Sequence, residues 1–338
     1  MAELKNCYLV AELSANHNHD LSRAKRLVEA AAAAGADAVK LQTYTADTLT
    51  IDCDNDYFRI KGTMWNGRTL HDLYKEAYTP WEWHAPLKEL AESLGLDFFS
   101  TPFDATAVDF LEELGCSIYK VASFELVDLP LLRKIAATGK PVIMSTGMAT
   151  LGEIEEAVNV LKNGGAGPLT LLKCTSAYPA PPEAANLRAM TLLAEIFNCT
   201  VGLSDHTMGS AAAVAAVALG AKVIEKHFTL DRADGGPDGS FSMEPDEFRR
   251  LATDVRTAEK ALGRPTFDLG EKERESQAFR RSLFVVEDMK AGETFTERNV
   301  RSIRPGDGLH TRHLPEVLTR RAARDIPRGT PLSWGLIG

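Results

Sequence analysis

The sequence predicts an α/β fold, a (β/α)8 barrel of the TIM type, followed by a small, mostly β module. Three observations predict it. Short aliphatic or β-branched runs alternate with longer amphipathic segments eight times between residues 8 and 228, and such near-continuous apolar runs are what strands buried on both faces show. No G-x-G-x-x-G follows the first run, which counts against a doubly wound sheet. Past residue 281 the texture changes to shorter runs broken by turn signals such as Lys290-Ala291-Gly292 and Arg304-Pro305-Gly306.

The eight runs are 8–13, 38–43, 97–102, 118–123, 141–146, 169–175, 200–205 and 223–228. Helix ends between them carry the expected chemistry. Asp20 stands before the stripe Leu21, Ala24, Leu27, Val28 and Ala31, with Gly35 after it; Asp104 opens a helix that closes at Gly115; Gly139-Lys140-Pro141 ends another. One stretch breaks the alternation. Residues 44–78, between the second run and its helix, are rich in Asp, Gly and aromatics. A loop this long in a compact domain is usually functional, and this one is expected to hang over the barrel mouth as a candidate lid. A helix at 244–262, stopped by Gly263 and Pro265, is expected to close a barrel domain over 1–263. A charged linker at 264–281 then leads to a module at 282–338 with runs at 283–286, 300–303 and 322–326. That module is too small to be stable without docking onto something.

Composition bounds the function. Hydrophobic residues make up 44% and charged residues 25%, which is ordinary for a soluble globular protein. A net charge of −9 argues against a nucleic-acid-binding surface, while an anionic small substrate needs only local lysines and arginines. The start of the chain, with Glu3 and Lys5, carries no export signal, and no apolar run approaches the ~20 residues that span a bilayer, so a membrane partner is not expected and a cytoplasmic location is. Cys7, Cys53, Cys116, Cys174 and Cys199 have no paired spacing, so free thiols are expected. Asn198-Cys199-Thr200 is read as a chance match to a glycosylation acceptor.

Active sites of such barrels lie at the C-terminal strand ends, so the polar residues closing each run are the candidates. In order they are Glu12; Lys40 with Gln42; Ser100 with Thr101; Lys120 with Ser123 and Glu125; Ser145 with Thr146; Thr175 with Ser176 and Tyr178; Ser204, Asp205 and His206; and Lys226 with His227. An interior packed for stability alone would favour Val, Ile and Leu there. Lysines and short hydroxyls in one layer suit a phosphate or carboxylate, although either lysine alone could be snorkelling to solvent. His206 and His227 stand one strand–helix–strand unit apart, so parallel neighbouring strands would present them side by side, as two ligands of one divalent metal need. The competing reading is two satisfied histidines at the barrel mouth. Glu12 suits acid–base work near a metal or a structural pairing with a lysine. Asn16-His17-Asn18-His19 reads as positioning of the first loop, because consecutive residues seldom converge on one ion. Trp81, Trp83, Phe98 and Phe99 read as packing. Asp231, Asp234 and Asp238, interspersed with glycines, form an acidic loop after the eighth run that is either a solvated turn or a contact to a polyhydroxylated substrate or to the metal shell.

The motifs taken together resemble a known family. Ala11-Glu12 with Asn16-His17-Asn18, Gly35 to Lys40, Tyr119-Lys120-Val121-Ala122-Ser123, Ser145-Thr146-Gly147-Met148, Cys174-Thr175 with Tyr178-Pro179, Gly202 to Thr207 and Glu225 to Thr229 resemble the sialic acid synthase family, and the C-terminal module with Arg304-Pro305-Gly306 resembles its antifreeze-protein-like domain. The resemblance implies a transferase that condenses phosphoenolpyruvate with an N-acylated amino sugar in its open-chain aldehyde form, giving a nine-carbon 2-keto acid and phosphate. It implies that His206 and His227 hold a divalent metal, Mn²⁺ or Mg²⁺, that Lys40, Lys120, Ser123, Ser145 and Ser204 bind phosphoenolpyruvate, and that Glu12 handles protons and the attacking water. Tyr178 and Asp238 would face the sugar, and Arg304 would reach in from the small domain of a partner subunit, in a domain-swapped homodimer.

Within that family the insertion at 56–83 is similar to the branch that makes pseudaminic acid, and Ser176 stands where neuraminate-making relatives carry an Asn against the sugar. Loss of that amide fits a less hydroxylated acceptor, 2,4-diacetamido-2,4,6-trideoxy-altrose. Three alternatives stay open: the same reaction making legionaminic or N-acetylneuraminic acid, a catalytically silent sugar-binding barrel, and an aldolase using a Schiff base on Lys120 or Lys226.

Overall fold

The computed structural model describes residues 6–62 and 65–338; Glu3 and Lys5 lie outside the described residues. Eight parallel strands close into a barrel in sequence order: β1 (Tyr8–Glu12), β2 (Ala38–Thr43), β3 (Asp97–Pro102), β4 (Tyr119–Val121), β5 (Val142–Ser145), β6 (Leu169–Cys174), β7 (Thr200–Ser204) and β8 (Val223–His227). Each falls within the run expected for it. β8 closes on β1 with Glu12 opposite His227, and β1 pairs with β2 with Glu12 opposite Lys40.

Side chains alternate across each strand, and the alternation sorts the barrel into two cores. Tyr8, Val10, Ala38, Phe99, Ile118, Ile143, Leu172 and Val223 point inward and form a plug. Their neighbours Leu9, Ala11, Val39, Tyr119, Val121, Met144, Leu171, Val201, Leu203 and Ile224 point outward into the layer shared with the helices. Two residues further along each strand, the inward positions become polar, so the site rests on the plug. Gly202 shows how tight the interior is: a Cβ there would fall 2.2 Å from the Val223 carbonyl oxygen.

Surrounding helices begin and end where their caps require. Asp20 accepts from the Ser22 N–H and Gly35 takes φ 90° after the helix Leu21–Ala34; Asp104 accepts from the Ala107 N–H at the start of Ala105–Glu113. The insertion differs from the plain loop expected. It holds two helices, Ala46–Leu49 and Leu70–Ala77, and an antiparallel bridge of Arg59 with Thr69. The longer helix forms because Thr69 caps the Asp72 N–H and Leu70, Leu73, Tyr74 and Ala77 fall on one face.

The chain divides into two compact units, the first ending at Gly263 and the second running Arg264–Gly338. The second has its own core of Leu283, Val285, Met289, Phe295, Val300, Val317 and neighbours, around an antiparallel pair, β9 (Ser282–Val285) and β10 (Val300–Ile303). The run at 322–326 is not a continuous strand. Single bridges pair Ala322 with Ile337 and Ile326 with Met289, and between them Asp325 turns its carboxylate to Lys290 and the Ala291 N–H. The stretch 264–281 contains a helix, Glu271–Ser276, and belongs to the second unit.

Candidate active site

A cavity of about 390 Å³ opens at the C-terminal ends of the strands, lined by Glu12, Lys40, Lys120, Ser123, Ser145, Tyr178, Ser204, His206, His227 and Asp238. All ten were singled out in the sequence, as were Gln42 and Glu125, which also line the cavity. Ser176 lies just behind, with its Oγ 3.9 Å from the Cys174 sulfur, and does not line the cavity. Arg304 belongs to the second unit.

The floor is a buried charge network. Lys40 Nζ lies 2.8 Å from Glu12 Oε2 and 3.7 Å from Glu225 Oε2, and donates to Thr101 Oγ1 at 3.2 Å. Lys120 Nζ donates to Ser145 Oγ at 2.7 Å and to the Val121 carbonyl at 3.1 Å, with Glu225 Oε1 at 3.6 Å. Ser204 Oγ donates to the same Glu225 oxygen at 3.1 Å, and Ser14 Oγ donates to Glu12 at 3.0 Å.

Burial and neighbours push these groups apart in proton affinity. Burial raises the Glu12 carboxyl above the usual carboxylate range; Lys40 opposes this and Glu225 adds to it. Glu225 goes the other way, because Lys120 and Lys40 together outweigh the burial. Burial lowers Lys120, with Lys40 adding to the effect, whereas the two glutamates override burial at Lys40 and raise it. Two like-charged ammonium groups and two unlike carboxyls in one dry layer are an arrangement that an anionic ligand stabilises and a proton-transfer reaction can use.

The imidazoles stand together as the sequence spacing suggested, with ring centroids 5.2 Å apart. His206 donates from Nδ1 to the Thr175 carbonyl at 2.9 Å; burial works against a charged ring, but the Cys174 sulfur and that carbonyl outweigh it and raise its proton affinity. His227 Nδ1 is buried with no hydrogen-bond partner, and burial followed by the charge of His206 holds that ring well below the usual histidine range. Two adjacent imidazoles, once His206 gives up its proton, suit a divalent ion. Among the described residues no cluster of three or more His, Cys, Asp or Glu forms a metal site.

Tyr178 stacks against His206 at 4.4 Å. Asp238 is half-buried, accepts from the Ala15 N–H at 3.2 Å, and is raised by loss of solvent around its carboxyl. Its loop is tied rather than loose: Asn16 donates to the Phe228 carbonyl and Ser242 Oγ, Arg23 pairs with Asp234, and Asp231 caps the Ala233 N–H. This is also what Asn16-His17-Asn18-His19 does. His17 meets Thr79 at 3.1 Å and burial drops it to about 4.

Matches to known proteins decide the family. The NeuB family model matches residues 27–266 and the SAF domain model residues 280–337. The chain belongs to the NeuB family. The sialic acid synthase resemblance and the barrel-plus-antifreeze-like architecture are thereby borne out, and membership makes the chain a sugar-acid synthase, a transferase by reaction class. Pseudaminic acid synthase of Helicobacter pylori is 46% identical over 326 residues, covering 96% of each chain. N,N'-diacetyllegionaminic acid synthase of Campylobacter jejuni is 42% identical over 326 residues, covering 95% of this chain and 97% of the other. Among solved structures, the N-acetylneuraminic acid synthetase of Leptospira borgpetersenii superposes with a TM-score of 0.72 at 34% identity, covering 80% of this chain and 90% of that one.

The structure adds Glu225 and Cys174 to the strand-end candidates and gives Glu125, already one of them, its setting. Glu225 shares the inward face of β8 with His227, a placement that period-2 alternation from His227 could have given. Cys174, inward on β6, sits 3.9 Å from His206 Nδ1; burial works against its thiolate, but His206 brings it down to about 7. Glu125 lies on a short turn after β4, where no periodicity reports orientation. Its Oε2 is buried without a hydrogen bond, and burial raises it to about 7.

Proposed function

We propose that this member of the family condenses phosphoenolpyruvate with 2,4-diacetamido-2,4,6-trideoxy-altrose, giving pseudaminic acid and phosphate. The observation that carries the reaction is the floor of Lys40 and Lys120 with Ser145 and Ser204, beside two imidazoles and a glutamate of raised proton affinity. The acceptor is supported by the 46% identity to pseudaminic acid synthases, against 42% and 39% to legionaminic acid synthases.

In this reading Lys40, Lys120 and the hydroxyls of Ser123, Ser145 and Ser204 receive the carboxylate and phosphate of phosphoenolpyruvate. Tyr178 and Asp238 contribute to the sugar side, and Ser176 bears on it only from behind the lining. C3 of phosphoenolpyruvate attacks the aldehyde carbon and forms the new C–C bond as the carbonyl π pair moves onto the aldehyde oxygen, which takes a proton from solvent to become a hydroxyl, leaving cationic character at C2. Water adds there as Glu12, in its carboxylate form, accepts the water's proton. The tetrahedral intermediate collapses with C–O cleavage to the 2-keto acid, and phosphate leaves against the fixed ammonium groups. His206 and His227 would hold Mn²⁺ or Mg²⁺, which when bound supplies Lewis acidity to the aldehyde oxygen. Holding both substrates on one floor removes much of the entropic barrier. The working form in this reading is a cytoplasmic homodimer in which Arg304 of one copy serves the barrel of the other. Among the described residues no helix is long and apolar enough to cross a membrane.

An aldolase using Lys226 finds no support, because that side chain leaves the barrel on the outward face of β8 and pairs with Asp205. The experiment that tests the proposal is incubation with phosphoenolpyruvate and Mn²⁺ and each of three acceptors, the diacetamido-altrose sugar, the legionaminate precursor and N-acetylmannosamine, following phosphate. Release is expected with the first; release with N-acetylmannosamine alone sinks the choice, and sugar binding with no release favours a silent barrel.

A further inference from the structure

The cavity has two unlike halves. Its floor is the charged layer, while one wall comes from a single segment, through Ile60, Trp65, Leu70, Leu73, Tyr74 and Ala77. The last four lie on the helix Leu70–Ala77 at i, i+3, i+4 and i+7, one stripe of its surface. Such a stripe normally beds into a core. Here Leu73 and Ala77 are 7% and 8% exposed, yet neither joins any of the apolar core clusters of the barrel. The stripe faces the cavity instead.

The helix is also held in place without a ligand. Thr69 caps it, His71 on its other face meets Asp47 at 3.0 Å, and the Tyr74 ring packs edge-on against Tyr44 at 5.8 Å. A preformed, mostly apolar wall opposite a polar floor sorts ligands by what they turn toward it: methyl and methylene groups are accepted, and a hydroxyl set against Leu70, Leu73 or Ala77 is left without a hydrogen-bond partner.

We propose that the helix Leu70–Ala77 is the acceptor-selecting element of this enzyme, its Leu70, Leu73, Tyr74 and Ala77 stripe receiving the acyl methyl groups and the deoxygenated end of the sugar. The inference rests on the acceptor reading above and adds the residues that enforce it. It separates the chemistry, which belongs to the strand ends, from the choice of sugar, which belongs to the insertion.

The test is steady-state kinetics of Leu70→Ser and Leu73→Ser on the diacetamido-altrose sugar and on N-acetylmannosamine, with the KM for phosphoenolpyruvate measured alongside. Pockets of this kind discriminate about 10–200-fold per methylene-sized difference, so the ratio of kcat/KM for the two sugars should fall at least tenfold, through the acceptor KM, with the phosphoenolpyruvate KM unchanged. Leu73→Met, which conserves volume and apolarity, should keep the ratio. Leu70 is only half-buried, so its serine variant keeps the test alive should Leu73→Ser fail to fold. An unchanged ratio with intact turnover in Leu70→Ser overturns the selector while leaving the proposed reaction standing. Wild-type turnover confined to N-acetylmannosamine overturns both.

Discussion

Lys226 and Lys120 are equally buried, at 2% exposure, and stand on strands of one barrel, yet they do opposite things. Lys226 points outward and is saturated, giving its protons to Asp205 at 2.9 Å, the Thr207 carbonyl at 2.5 Å and the Gly209 carbonyl at 3.1 Å. Asp205 in turn accepts from the N–H and Oγ1 of Thr207. Lys120 points inward, shares one carboxylate with Lys40, and is lowered by its burial. A saturated pair is architecture, because it has nothing left to give a ligand. An unequal cluster, two ammonium groups around carboxyls pushed apart in proton affinity, is poised for an incoming anion and for proton transfer.

The largest effect that sharpens this contrast is at the imidazoles. His206→Ala or His227→Ala should lower turnover by at least about 10³-fold even at saturating Mn²⁺, with circular dichroism and Tm close to wild type; chelation should silence the wild type reversibly. Next comes the architectural lysine. Lys226→Met leaves Asp205 buried and unpaired, so urea unfolding should show a loss of about 3–5 kcal/mol with kcat/KM changed by no more than a few-fold in the folded fraction. Lys120→Met should do the reverse, costing about 10²–10³ in turnover with little loss of stability. Equal stability losses in the two lysine variants would break the comparison.

The smallest effect is a pH signature at Glu125. Its carboxyl keeps its proton up to about 7 in the folded chain against 4.5 unfolded. The folded state therefore binds more protons across that window, and stability from this group, full below about 4.5, is lost as pH rises through 7. Glu125→Gln should flatten that decline, worth about 1–3 kcal/mol after allowing for its partial exposure, as read by Tm against pH.

Much of this was legible in the sequence because the barrel writes its own code. Apolar runs ending in Glu12, Lys40, Lys120, Ser145, Ser204 and His227 give strands and site together, since the strand end is where packing yields to chemistry. Asp20, Gly35 and Asp104 mark helix ends by chemistry that is local. What escaped depends on distance rather than pattern. Lys226 sits among strand-end candidates, and only the inward face of β8 separates it from Glu225 and His227. Glu125 is a strand-end candidate, but it follows a strand of three residues, too short to fix which way its side chain turns. The insertion hid its helix because Asp and Gly around it dilute the Leu70–Ala77 stripe, whose apolar face answers to a cavity rather than to a core. The run at 322–326 has strand-like composition, but a polar partner, Lys290, draws Asp325 out of line.

The central claim is that the inward charged layer binds phosphoenolpyruvate and the outward pair does not. Titration calorimetry of phosphoenolpyruvate into the wild type, Lys120→Met and Lys226→Met tests it directly. The account predicts binding weakened at least about 100-fold by the first substitution, in keeping with loss of a charge-assisted contact in a dry site, and wild-type affinity with the second. Unchanged binding in Lys120→Met, or equal weakening in both, would contradict it.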